Sequence, residues 1–308
     1  MPKWIPERPS YKKERRTVGF MVLSAFLLLF FGRLFGERLP FSHMIALKIP
    51  FMAVVALLLP ALGYFLYRGE GYRASLRLHL PAARYIPLLV AAFFALVSGS
   101  LLLSRLTGGA DTLGNTVVPF DTAPPSTVWE MILFFLGGGI LPALLEEFFF
   151  RGIVTVEYER RGAVRAVLMS AALFALLHFD APNLLAHLFS GVLLSLLLFA
   201  TNSLVATAIV HAAMSLLLLF AQHYLNALYD YTGTVQLYLF IFTAILLVSL
   251  LFFTRSCARI YRTRDERGLD DPRRAVPYNV QFYTVLDALC DPTVIVCLGL
   301  AIAGFVIF

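Results

Sequence analysis

The chain is patterned as long apolar runs separated by short polar breaks. Nine runs stand out, at 18–35, 45–67, 85–103, 128–153, 166–178, 184–200, 204–221, 237–254 and 293–308, each bounded by Arg, Pro, Gly or Asp. A hydrocarbon core of about 30 Å takes about 20 apolar residues of helix, so each run is expected to cross a membrane, the fifth and the last being the shortest. The predicted fold is all-α, a polytopic transmembrane helical bundle of about eight or nine helices with a four-helix core. Residues 107–127, with Gly108-Gly109, Asp111, Asp121 and Pro124-Pro125, read as an exposed loop on the non-cytoplasmic side. Residues 255–291 read as a charged cytoplasmic segment with an interfacial part. There is no period of the kind that marks a repeat protein.

Composition supports the membrane reading. Of 308 residues, 59% are hydrophobic and 14% charged, and the mean hydropathy is +0.80. A soluble domain of this size cannot bury so much apolar surface. The first run is expected to be a retained signal anchor: no small-residue cleavage site follows it, and Arg33 and Arg38 supply a polar stop. Three blocks are expected, with 1–127 a tail and three scaffold helices, 128–221 the four-helix core, and 222–308 C-terminal helices with the charged loop.

The net charge of +6 is topological, and no nucleic-acid partner is expected. With the N terminus in the cytoplasm, 21 of the 25 Lys and Arg residues fall on the cytoplasmic side, leaving only Arg33, Arg38, Lys48 and Arg105 on the other. The expected setting is a multi-pass protein of a prokaryotic plasma membrane, its N terminus in and its C terminus out. Cys257, Cys290 and Cys297 show no metal spacing and are expected to be reduced thiols.

Candidate chemistry centres on "LLEEFFFRG", residues 144–152. A carboxylate inside a bilayer is costly unless paired, wetted or neutralised, so it marks a functional site by default. Glu147 and Arg151 stand four apart on one helical face and are expected to pair, while Glu146 points about 100° away. Glu146 lies 16 residues before Gly162 and His178 lies 16 after it. In an antiparallel hairpin the two should share a level, about 14 Å inside the membrane, where they could share a proton or a water. His211, nine residues beyond Asn202, comes to a similar depth, about 13 Å. Each element has a plainer reading: the Glu and Arg as a packing ion pair, His178 or His211 as a hydrogen-bonded interior histidine. His187, in "NLLAHLFSG", is read as structural, Phe148 to Phe150 as lipid-facing or packing surface, and Gly137 to Gly139 as a place of close helix approach.

These residues resemble the CAAX prenyl protease 2 type, or CPBP, family of intramembrane proteases. The family pattern is EExxxR, then FxxxH, then HxxxN or HxxxD. Here "EEFFFR" supplies Glu146, Glu147 and Arg151, "FALLH" supplies Phe174 and His178, and "HAAMS" supplies His211, with Ser215 where the family has Asn or Asp. The resemblance implies that Glu146 with His178 activates a water, and that His211 with residue 215 stabilises the oxyanion. The Ser215 hydroxyl can donate, though it is shorter than an amide. The implied partners are the bilayer and a peptide or membrane-protein substrate, reached from the cytoplasmic side. No cofactor is expected; the alternative is zinc on Glu146, His178 and His211, although no HExxH occurs. Two other readings stay open: a non-catalytic scaffold or immunity protein of the same fold, and a proton-coupled transporter.

Overall fold

The structure, a computed structural model, describes residues 10–38, 45–68, 76–109, 127–160, 162–231, 234–266 and 278–308. The turn residues Asp111, Asp121 and Pro124-Pro125 lie outside the described residues. Every one of the nine apolar runs is helical. The first is α1 (Ser10–Phe35), and the second is α2 (Ile45–Ala53), continued by a π-helical stretch (Val54–Leu58) into α3 (Leu59–Arg68). The third run is α4 (Ile86–Thr107). The fourth is α5 (Val128–Leu133), a π stretch (Phe134–Ile140), α6 (Leu141–Glu147), a second π stretch (Phe148–Val154) and α7 (Thr155–Glu159). Then follow α8 (Ala163–Leu177), α9 (Leu184–Thr201), α10 (Leu204–Tyr231), α11 (Val235–Glu266), α12 (Tyr278–Leu289) and α13 (Pro292–Ile307). Among the described residues, six helices are long and apolar enough to cross a membrane; a seventh span is the pair 283–289 and 292–307, bent by 64°. Two shorter apolar helices, Ala163–Leu177 and Leu204–Phe220, complete the set.

At Pro142 the helix changes its winding. Proline lacks an N–H and its ring clashes with the carbonyl four residues back, so an α-helix meeting it must open. The stretch Phe134–Ile140 widens to π geometry immediately before Leu141-Pro142, and Val54–Leu58 does the same before Leu59-Pro60. In both places a π insertion delivers the chain to a proline at the start of the next α-helical stretch.

Apolar side chains build two cores. One joins α1, α2, α3, the second π stretch of the fourth run, α8 and α13, with Phe26, Phe149, Phe150 and Phe174 at its centre. The other joins α4, α9, α10 and α11 through Leu96, Leu194, Val210 and Phe242. Two glycines permit the close contacts between layers. A Cβ on Gly191 of α9 would lie 2.7 Å from the Ala171 Cα of α8, and one on Gly139 would lie 2.4 Å from a Leu216 methyl of α10. The second contact is the close approach expected of the 137–139 glycines.

The bundle has two chemically distinct ends. One carries the arginines: Arg77 pairs with Glu159, Arg160 lies 3.3 Å from Glu157, and Arg264 donates to the Phe199 and Ala200 carbonyls at the end of α9. The other end is pinned by Asn183, in the turn from α8 to α9. It accepts from Ser104 of α4 and donates to Asp180, while Thr107 donates to the Pro182 carbonyl.

Candidate active site

The seam between the two cores holds the ionisable residues. Glu146 and Glu147 close α6, and the π stretch that follows carries Arg151, so all three project from a backbone at the transition to a winding wider than an α-helix. Glu147 and Arg151 are fully buried and pair at 2.8 Å, as their spacing predicted. The second guanidinium arm of Arg151 donates to the Gly191 carbonyl at 3.2 Å, and its Cζ lies 4.5 Å from the centre of the Phe174 ring. Arg151 thereby ties α9 and α8 to the helix that carries the glutamates.

His211, near the start of α10, stands between the two carboxylates. Its Nδ1–H donates to Glu147 Oε1 at 2.9 Å, and its Nε2 lies 3.7 Å from Glu146 Oε2. The latter distance is too long for a direct hydrogen bond and short enough for one water to touch both atoms. Thr207, one turn earlier on α10, stands beside the Glu147 carboxylate. Ser215, one turn later, is half-buried, and its hydroxyl makes no hydrogen bond among the described residues.

The level shared by Glu146 and His178 does not become a contact. His178 forms no hydrogen bond or ion pair with Glu146; its Nδ1–H donates to the Phe174 carbonyl at 2.8 Å, and its ring stacks on that of His187 with centroids 3.6 Å apart. The reason lies in the backbone. His178 caps the C-terminal end of α8 and Phe179 then turns left-handed at φ 47°, while counting by an α-helical rise ignores the π stretch between Glu146 and Gly162. The imidazole delivered to Glu146 is that of His211.

His187 is more than an isolated structural residue. It is buried, stacks on His178, and its Nε2 lies 3.8 Å from Asp180. Asp180, in the loop outside the spans, is held below the usual carboxylate range: burial pushes it up, and His187 beside it with the Asn183 amide and backbone N–H outweighs that effect. Phe174 is the common wall of the whole group. Its ring lies 4.7 Å from His178, 5.8 Å from His211 and 6.5 Å from His187.

The alternative reading of the same donors is a zinc site. A two-histidine, one-carboxylate site needs Glu146, His178 and His211 to converge within coordination distance of one point. Among the described residues no three His, Cys, Asp or Glu side chains form such a group. His178 and His211 each donate Nδ1–H to a protein oxygen, the Phe174 carbonyl and Glu147 respectively, and the His178 ring stacks on His187. As placed, Glu146, His178 and His211 do not form one coordination group among the described residues.

An α-helical bundle with six membrane-length spans and an enclosed Glu, Arg and His cluster defines a multi-pass membrane protein with an ionisable centre inside it. Residues 127–217, which carry that cluster from Glu146 to Ser215, match the family described as Type II CAAX prenyl endopeptidase Rce1-like. The resemblance carried by "EEFFFR", "FALLH" and "HAAMS" is thus borne out over that segment, and the matched family is one of peptidases. No curated protein and no solved structure matches the chain.

Proposed function

We propose that this protein is an intramembrane endopeptidase that hydrolyses a peptide bond of a membrane-associated protein or peptide, without a metal. The observation that carries the reading is His211 held between Glu147, whose charge Arg151 balances, and Glu146, whose Oε2 stands 3.7 Å from His211 Nε2. Glu146 takes a proton from a water as its oxygen bonds to the scissile carbonyl carbon. The carbonyl electron pair moves to oxygen, where protonated His211, through Nε2–H, and the Ser215 hydroxyl stabilise the charge. Glu147, accepting from Nδ1, stabilises the imidazolium in an apolar interior. The tetrahedral centre then collapses, the C–N bond breaks, and the proton on Glu146 passes to the leaving nitrogen. His178 keeps an Nε2 without a protein partner among the described residues and is assigned to orient the same water.

The arginine-rich end is assigned to the cytoplasm by the positive-inside rule, which places the N terminus there. In a prokaryotic plasma membrane, a peptide precursor or a membrane protein is the substrate class this reading favours. The test is a comparison of membrane-peptide termini in cells expressing the wild type and Glu146→Ala at equal levels. At least one new terminus should depend on Glu146. Identical sets of termini would overturn the peptidase reading.

A further inference from the structure

Away from the ionisable cluster, a cleft of about 560 Å³ opens at the arginine-rich end. It lies between the start of α4, the turn from α9 to α10, and the last turns of α11. Arg84, Arg259, Arg264 and His79 line it, and no acidic residue does. None of these arginines forms an ion pair among the described residues, although Arg77 and Arg160 at the same end each have a glutamate. Arg264 is held by two backbone carbonyls, and Arg84 lies over the Tyr85 ring with its Cζ 5.0 Å from the centroid. Two of the three cations are therefore positioned before any ligand arrives. Asn202, at a left-handed turn with φ 55°, adds an amide that makes no side-chain hydrogen bond among the described residues.

Three uncompensated guanidinium groups around one cavity suit an oxyanion able to accept several charge-assisted hydrogen bonds, of which phosphate is the common case. The surroundings say what the phosphate is attached to. The apolar run of α11 ends at Thr254 and gives way to Arg255, Arg259, Arg262 and Arg264 in the last turns, so the cleft stands where hydrocarbon is expected to give way to headgroups. Leu78 and Leu80, beside His79, are 62% and 78% exposed, and Leu247, Leu251 and Phe252 are exposed along α11 toward Arg255 and Arg259. A free phosphate would leave these apolar faces unused. Acyl chains would cover them. Basic pockets between helices at the cytoplasmic interface are where acidic headgroups dock.

We propose that this cleft binds the phosphate headgroup of an anionic phospholipid, with the acyl chains against α11 and the segment before α4. The site shares no residue with the ionisable cluster and does not depend on the peptidase reading.

The protein is purified in mild detergent with mixed phosphatidylglycerol and phosphatidylcholine, and the lipids retained are counted by native mass spectrometry. The wild type should retain phosphatidylglycerol in preference, and the double variant Arg84→Gln/Arg259→Gln should lose that preference about tenfold while keeping its thermal melting profile. Arg255→Gln/Arg262→Gln removes the same charge outside the cleft and should retain the lipid as the wild type does. Equal retention of both lipids, unchanged retention in the cleft variant, or equal loss in both double variants would overturn the proposal. A parallel titration with inorganic phosphate separates the sources. No displacement of phosphatidylglycerol at millimolar phosphate supports the lipid, and displacement with thermal stabilisation in lipid-free protein assigns the cleft to a soluble phosphate and overturns it.

Discussion

His211 Nδ1 and Glu147 Oε1, on different helices and far apart in sequence, stand 2.9 Å apart on the same carboxylate oxygen that Arg151 reaches at 2.8 Å. One acid thus holds two donors in an apolar seam. Removing one partner from such a buried pair costs about 3–5 kcal/mol, because the other charge is left without compensation. Glu147→Gln and Arg151→Ala should each lower the melting temperature in detergent, whereas Glu147→Leu/Arg151→Leu should recover much of the loss without restoring proteolysis. A double variant no more stable than the singles would show that the pair is not what holds this seam.

Glu146 has a different expected signature. Its assigned role is proton transfer rather than support, so Glu146→Gln, nearly equal in shape, should leave the stability within about 1 kcal/mol of wild type and reduce turnover by about 10²–10⁴. Appearance of the Glu146-dependent terminus, followed over time, checks this. Unchanged turnover in a folded Glu146→Gln protein would transfer the base to another residue.

How much of this was legible from the chain depends on what each inference assumed. All nine helical runs follow from apolar length alone, and the Glu147 to Arg151 pair follows from two residues one turn apart, which a π stretch still keeps close. A direct Glu146 to His178 contact is not made, and counting by a uniform α-helical rise also took no account of the segment wound as π. The partnership of His187 with His178 depends on a tight turn at Asp180 to Asn183 that brings two helix ends together. No spacing rule registers that. The signal was a histidine nine residues after the FxxxH histidine, close enough for a short turn to fold back. The arginine cleft was divided among separate loops in the sequence, where only its total charge was visible.

The stacked pair of His178 and His187 gives a coupling prediction. If Asp180 and His187 hold the His178 ring in place, Asp180→Asn and His187→Ala should each reduce turnover about tenfold with little effect on KM, and the double variant should be no worse than either. His187→Phe, which keeps a ring to stack on, should recover part of the rate. Simple additivity of the two single losses would separate Asp180 and His187 into independent roles.

Metal removal tests the donor geometry. If Glu146 activates the water without a metal, dialysis against a strong chelator should leave proteolysis intact, and added zinc should not raise it. Loss of activity with chelator and its return with zinc would overturn the metal-free mechanism and make Glu146, His178 and His211 the ligands to test.

Ser215 allows the oxyanion assignment to be tested in both directions. Its hydroxyl lies one turn beyond His211 and has no protein hydrogen bond to give up among the described residues, so it is available to a developing negative charge. Loss of an oxyanion donor costs about 10²–10³ in rate where the donor is well placed; a freely rotating hydroxyl should contribute less, so Ser215→Ala should slow turnover by about tenfold. Ser215→Asn supplies a longer donor of the kind the family pattern carries and should raise turnover above wild type, with KM little changed. Equal rates for the wild type, the Ser215→Ala variant and the Ser215→Asn variant, all of unchanged stability, would remove this residue from the chemistry and leave His211 to carry the oxyanion by itself.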